Sequence, residues 1–313
     1  MLLILLACGG SEPVSPQPAP EPPPEPTAEP SDGPVPTGDT AGPPPIGVHP
    51  LVLPALPALG MPVSARPIAS AFGPRVHDGS PEMHLGIDLH GTRGEDVLAA
   101  LPGTVRTVRV PQTPSQSLFV ILEHPVAPFA WQGGTYDRIY TSYHHLESTE
   151  LVEDAPIAAG DVVGGMGDSG GAAMVHLHLE LRLGTSCSLE YQLANPDSSC
   201  VTGFSPHVDP LMALPTPETP LELAWTSDRL TIRAALDDPS IRRVETPDGV
   251  LDLATWEGFD PSSEAALDVL DRGWVTLVPE DAADARVLHL DFATRPEWVR
   301  VWDARGNGVV SVP

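Results

Sequence analysis

The sequence predicts an all-β protein made of two β-rich units behind a long extended arm. Three observations carry this. Short runs of alternating apolar and polar residues recur, the pattern of a strand with one face buried: residues 103–110 (GTVRTVRV), 175–182 (VHLHLELR) and 287–292 (VLHLDF) are examples. No long helical period occurs between Val63 and Leu214. Gly, Pro and Asp punctuate the chain between the runs, as turns require.

In chain order, residues 118–122 (LFVIL) and 139–143 (IYTSY) join 103–110 and 175–182 as strands of the first unit, 63–214. Residues 215–220 (PTPETP) read as a linker. The second unit, 221–313, alternates at 230–234 (LTIRA), 275–278 (VTLV) and 287–292. It ends in 298–302 (WVRVW) and 309–312 (VVSV), joined at 305–308 (RGNG), a hairpin with an Asn-Gly turn. Residues 263–269 suggest one short helix, and the whole unit suggests a small β-sandwich. Ahead of both, residues 9–62 are dominated by Pro with Glu, Ala, Ser, Thr and Gly. Such a segment cannot bury enough apolar surface to offset its ordering entropy, so it reads as a semi-rigid tether.

Charge excludes some partners. The chain has 42 acidic against 16 basic residues, a formal net charge of −26. A phosphate backbone demands a basic face, so nucleic acid is excluded as a partner. A basic patch for an anionic membrane surface is excluded for the same reason. The first residues, MLLILLAC, are apolar up to Cys8, far short of the roughly 20 residues that span a bilayer. They read as the hydrophobic part of an export signal. Leu5-Leu6-Ala7-Cys8 resembles the lipobox of bacterial lipoproteins, which implies lipidation of Cys8 and attachment to a membrane. The usual basic region is missing, so the start codon stays open. With Gly9 after the Cys, the expected location in a Gram-negative host is the outer membrane, facing the periplasm.

The candidate chemistry lies in histidines. On a strand, His176, His178 and Glu180 share one face while Leu177, Leu179 and Leu181 share the other. His84 and Asp88 stand close in sequence with Gly86 between them, which suits a shared metal. His144 and His145 follow the 139–143 strand. Together these supply a His, an Asp and a second His for zinc, with histidines to spare. Three protein ligands with an open position mark a catalytic rather than a structural zinc, which acidifies water and polarises a carbonyl. Remaining histidines can orient water, move protons or stabilise an oxyanion.

At this point the chain resembles the M23 family of metallopeptidases, the lysostaphin and LytM type. Residues 68–75 (IASAFGPR) resemble its opening strand and loop. Residues 84–88 (HLGID) resemble its HxxxD pair, 94–105 the segment that follows, and 143–146 (YHHL) its Tyr-x-His-Leu element. Residues 160–164 (GDVVG) and 167–170 (GDSG) resemble its glycine-rich turn, 176–180 (HLHLE) its terminal strand, and 207–210 (HVDP) its close. The resemblance covers about Val63 to Leu214. It implies an antiparallel β-sheet metallopeptidase domain with a zinc groove. It implies zinc on His84, Asp88 and His178, catalytic roles for His145 and His176, and a ligand-orienting role for Glu180. His144 holds the variable place and reads as a bystander. The chain departs from the family at 170–175 (GGAAMV), where the usual Gly-Pro is absent. It also carries an insertion-like stretch, 125–137, whose Phe129 and Trp131 either line the groove or pack a loop.

Cys187 and Cys200 would close a short loop, and a disulfide there would contribute up to about 3 kcal/mol. Free thiols stay open, whereas a zinc thiolate pair lacks neighbouring partners. The expected function is a zinc-dependent endopeptidase acting on the stem peptides that cross-link bacterial peptidoglycan. The alternative is a non-catalytic wall-binding lipoprotein that regulates amidases. Such regulators lack several of the five key positions, all of which are filled here. The bond cut, the oligomeric state and the role of the second unit stay open. That unit could bind glycan, bind a partner or cover the active site, and the arm could tether the domain or occlude its groove.

Overall fold

The computed structural model describes residues 55–64, 68–77, 79–185, 205–253, 255–256 and 271–313. Cys8, Cys187, Cys200, the arm up to residue 54 and the expected helix at 263–269 lie outside the described residues. All described residues belong to one compact unit. No described helix is long and apolar enough to cross a membrane. The described chain is nearly all β, with one 3-10 turn at Pro210–Met212.

The first half contains β1 (Ile68–Ser70), β2 (Gly73–His77), β3 (Ser80–His84), β4 (Ile87–His90), β5 (Asp96–Leu98) and β6 (Gly103–Arg109). It continues through β7 (Leu118–Trp131), β8 (Gly134–Ser148), β9 (Pro156–Ile157), β10 (Val162–Met166), β11 (His176–Gly184) and β12 (His207–Val208). Among the described residues, an antiparallel sheet runs in the order β1-β4-β11-β8-β7-β6-β9. β11 is central because its leucines match a buried face: Leu177, Leu179, Leu181 and Leu183 are fully buried. Each stabilises the sheet by roughly 1.5–3 kcal/mol relative to exposure. They join Ile87, Leu89, Val120, Leu122 and Tyr143 in one core. Period-two alternation therefore sends His176, His178, Glu180 and Arg182 to the opposite face.

The stretch 125–137 is not a loop insertion. It extends the β7–β8 hairpin, whose ladder runs on to Trp131 opposite Gly134. The two-residue turn at Gln132 and Gly133 has positive φ at both positions, 45° and 80°, the conformation that matches strand twist. Phe129 and Trp131 are buried. Trp131 lies under the guanidinium of Arg242, 5.7 Å from its ring centre. Both aromatics therefore pack.

The second half contains β13 (Glu222–Thr226), β14 (Arg229–Ala235), β15 (Arg243–Thr246), β16 (Gly249–Asp252), β17 (Thr255–Trp256), β18 (Val275–Asp281), β19 (Ala285–Phe292), β20 (Val299–Trp302) and β21 (Gly308–Ser311). Two four-stranded sheets, β13-β14-β19-β18 and β16-β15-β20-β21, enclose a shared apolar core, the β-sandwich expected from sequence. The β20–β21 connection differs from the expected Asn-Gly turn. Gly308 is already in the strand, opposite Trp302. The Asp303 carboxylate organises the loop by accepting from the backbone of Arg305 and Asn307 and from the Asn307 amide. Gly306 takes the positive φ. A side-chain acceptor inside a longer loop has displaced the tight turn.

Residues at both edges of the first unit differ from a bare tether and linker. Leu59 is buried in the first core, with Leu56 and Met61 packed on it. Leu59 and Gly60 donate to Ala213 and Ala100 carbonyls. In 215–220, Thr216 accepts from Arg305 and the Thr219 amide donates to Asp238. Both segments carry enough contacts to be held against the folded body.

Candidate metal centre

Three strands deliver the central groups. The β4–β11 ladder pairs His178 with Asp88, and the β11–β8 ladder pairs His178 with His144. These three side chains therefore form a row across one face of the sheet. His84 arrives from the end of β3, one strand of a separate two-stranded ribbon with β2. The ligand atoms of His84, Asp88 and His178 all lie within 4.8 Å of one another. His84 Nε2 is 2.9 Å from His178 Nδ1 and 3.2 Å from Asp88 Oδ1, and His178 Nδ1 is 2.9 Å from the same oxygen.

Gly86 permits this approach. A Cβ there would stand 2.3 Å from the Leu179 carbonyl oxygen of β11. Its role is close packing of two backbones, and it is not among the glycines of positive φ.

Hydrogen bonds set the tautomers. His84 Nδ1 donates to the Ala71 carbonyl at 2.8 Å, leaving Nε2 with its lone pair. His178 Nε2 donates to Glu180 Oε1 at 3.3 Å, leaving Nδ1. Two imidazole lone pairs and a carboxylate oxygen thus converge on one point. Such a donor set is repulsive unless a cation, either a proton or a metal, sits among them. Orientation of a ligand histidine by a carbonyl or carboxylate behind it is a recurring feature of metal sites. Burial pushes His84 down to about 4, so it stays neutral, as a metal ligand must. Burial also opposes charge on His178, yet hydrogen bonds to Asp88 and Glu180 outweigh it and hold the group up at about 9. The pocket therefore favours positive charge. Asp88 stays ionised well below the usual carboxylate range because His84 and His178 overcome its burial. The residues present fit a divalent ion of the zinc type, with two nitrogen ligands and one oxygen.

His145 and His176 flank this trio, with ring centres 4.6 Å apart. Each has one nitrogen held by a backbone carbonyl: His145 Nδ1 by Ser169 at 2.8 Å, His176 Nδ1 by Met174 at 2.9 Å. Their Nε2 atoms remain available to a ligand in the groove. His176 Nε2 also lies 3.6 Å from Asp88 Oδ1. Burial pushes His145 down to about 4, so it is neutral at physiological pH.

The backbone of His145 has φ of 61°, rare for a residue with a side chain. It coincides with a register shift in the β7–β8 ladder opposite Phe119. A bulge re-aims the side chains of a strand, and here it turns His145 toward the face that His144 already occupies through its pairing with His178. His144 is no bystander. It stacks on Phe119, meets His178 edge-on at 5.4 Å, and its Nε2 is 3.7 Å from Glu180 Oε1. Strict alternation along 139–146 places His144 on the face opposite the buried Tyr143 but hides the turn of His145, because a bulge leaves no mark in an apolar pattern.

Further residues complete the surround. Arg75 Nη1 holds Asp88 Oδ2 at 3.0 Å while its Nε binds Glu82 at 2.8 Å. Glu180 is buried, and burial would raise it, but Arg182 and the adjacent imidazoles keep it well below the ordinary carboxylate range. Arg182 Nε donates to Glu180 Oε2 at 3.1 Å, and His207 Nε2 lies 3.4 Å from the same oxygen. Ser117 Oγ accepts from the His145 amide and Ser169 Oγ from the Leu118 amide, pinning the bulge. Of these, only Glu180, on the face it shares with His176 and His178, was named from the sequence.

Comparison with known proteins agrees with the motif reading. The family model of Peptidase family M23 matches residues 82–189. No curated protein matches the chain. Among solved structures, similarity extends to a mutant catalytic domain of the prophage-encoded M23 protein EnpA from Enterococcus faecalis. The identity is 24%, over 39% of this chain and 84% of that one, with a TM-score of 0.31. A zinc containing peptidase from Vibrio cholerae is 26% identical over 40% of this chain and 37% of that one, with a TM-score of 0.34. The catalytic domain of lysostaphin from Staphylococcus simulans is 20% identical over 38% of this chain and 80% of that one, with a TM-score of 0.30. Over residues 82–189 the chain is thus similar to Peptidase family M23.

Proposed function

We propose that this protein is a zinc-dependent endopeptidase that cleaves the peptide cross-links of bacterial peptidoglycan. The observation that carries the reading is the convergence of His84 Nε2, His178 Nδ1 and Asp88 Oδ1, within 4.8 Å of one another, beside two histidines whose Nδ1 atoms are held by backbone carbonyls. His84, Asp88 and His178 would hold the ion, which supplies Lewis acidity toward a peptide carbonyl. The chain's own groups do the rest. Glu180 and the Ala71 carbonyl fix the two ligand imidazoles, and Arg75 fixes Asp88. His145 is neutral with its Nδ1–H held by the Ser169 carbonyl, so its Nε2 can accept a proton and, once protonated, return it. His176, across from it, has Nδ1 committed to the Met174 carbonyl, so its Nε2 donates to the oxygen on which negative charge develops only when the ring carries both protons. A groove of about 630 Å³ contains Asp88, His145, His176 and His178, room for a short extended peptide. The same proposal includes export, lipid attachment at Cys8 and a tethering arm in front of the catalytic unit.

The test is digestion of purified peptidoglycan by the zinc-loaded full chain, with products read by mass spectrometry. Loss of cross-linked dimers, abolished by a chelator and by His178→Ala, is expected. His145→Ala is expected to abolish cleavage while keeping zinc. Binding to the wall without cleavage by a zinc-loaded protein would overturn the reading in favour of the non-catalytic regulator. Release of a Cys8→Ala protein from the membrane fraction checks the anchor.

A further inference from the structure

The strand end that bears His84 is packed by the C-terminal sandwich rather than by the core of its own sheet. His84 is flanked by Met83 and Leu85, both buried. These two side chains lie in the hydrophobic cluster of Leu230, Ile232, Leu277, Leu288 and Leu290, the interior of the sandwich. The ribbon that carries them, β2–β3, pairs with no strand of the main sheet among the described residues. β18 of the sandwich packs along β2. Arg286 of β19 lies over Gly73, where an added Cβ would meet its Nη2 at 2.9 Å. Arg286 Nη1 donates to the Pro239 carbonyl at 3.0 Å, and the Ile68 amide donates to the Leu236 carbonyl at 2.8 Å. The same side of the sandwich supplies Leu236, Pro239, Pro279, Glu280 and Arg286 to the wall of the groove.

From this we infer that the C-terminal sandwich is a positioning element of the metal centre, with Met83 and Leu85 as the residues that transmit it. The other two ligands do not need this help. Asp88 and His178 sit on adjacent strands locked by their ladder. His84 is joined to that sheet by no ladder of its own, only by the short segment after β3 and by the Nδ1 bond to the Ala71 carbonyl beyond β1, so its place depends also on what its neighbours are packed into. Packed interiors transmit small displacements because they contain few voids. A void at Met83 would let the ribbon end shift, and a shift of one ligand weakens an ion that needs all three. Linkage then works both ways: an ion that binds only the assembled site also stabilises the sandwich against unfolding. The second unit is in this view part of the site rather than an appended module.

The inference rests on the reading of His84 as a ligand, and the experiment separates the two. In the full chain, zinc affinity is measured by chelator competition, and the cobalt-substituted protein is examined by visible absorption. If the parent chain binds no zinc, the metal reading itself fails. If it binds, Met83→Ala is expected to lower zinc affinity about tenfold or more, the size seen when ligand-orienting groups are lost. It should also change the cobalt spectrum, and Met83→Leu should restore both. Zinc should raise the melting temperature reported by Trp225 and Trp274 in the sandwich. A folded Met83→Ala protein with parental zinc affinity and an unchanged cobalt spectrum would overturn the inference, even if its stability fell. Should Met83→Ala not fold, Leu85→Ala and Met83→Val carry the same comparison, judged by the same outcomes.

Discussion

Replacing Glu180 by Gln tests whether the buried carboxylate orients the metal ligand behind which it stands. Its oxygens divide their work. Oε1 faces His178 Nε2 at 3.3 Å and His144 Nε2 at 3.7 Å, while Oε2 faces Arg182 Nε at 3.1 Å and His207 Nε2 at 3.4 Å. An amide offers one acceptor and one donor end. Turned toward Arg182, its oxygen leaves an NH2 against the His178 N–H. Turned the other way, the NH2 meets a guanidinium. In each orientation a buried donor faces a donor, which costs about 1–3 kcal/mol. If that cost falls on His178, zinc affinity drops about 10–100-fold. If it falls on Arg182, which is only 5% exposed, stability drops by about 3–5 kcal/mol, the scale of a broken buried pair. Chelator competition with zinc and urea unfolding, run on the same protein, read the two quantities. A folded Glu180→Gln protein with both zinc affinity and stability unchanged would refute the orientation argument, whereas loss in either one locates where the amide turned.

Two further outcomes follow from other positions. In Gly86→Ala the new methyl meets the Leu179 backbone at 2.3 Å, so β4 must move from β11 beside the Asp88–His178 pair; overpacking costs about 1–3 kcal/mol. Zinc titration should show weakened binding, and parental binding would show that the strands can part without cost to the site. Asp209 has its folded pKa raised from 3.8 to about 6 by burial. It is an acid whose neutral form the folded state prefers, so its contribution is full below 3.8 and is lost as pH rises through about 6. That displacement corresponds to about 3 kcal/mol. Asp209→Asn, which can still accept from the Leu211 amide, should therefore gain on the parent by about that much between pH 3.5 and 7.5. Urea midpoints at the two pH values that differ by the same amount in both proteins would contradict it.

The sequence by itself determined which side chains belong to one face of β11, because leucines at every second position leave the core only one way to form. From that came His176, His178, Glu180 and Arg182 on a common surface, and the all-β architecture with a terminal sandwich. Motif order further named His84 and Asp88 as partners of that strand. What pattern could not contain was register. The alignment of Asp88, His178 and His144 across three strands depends on which residues pair, and the bulge at His145 changes the facing of that histidine with no trace in apolar periodicity. Tautomers likewise depend on carbonyls from Ala71, Ser169 and Met174, which any residue could present. The packing of Met83 and Leu85 was undetermined for a related reason. A short ribbon reads as a strand wherever it lies, and only the tertiary structure decides whose core receives its apolar side chains.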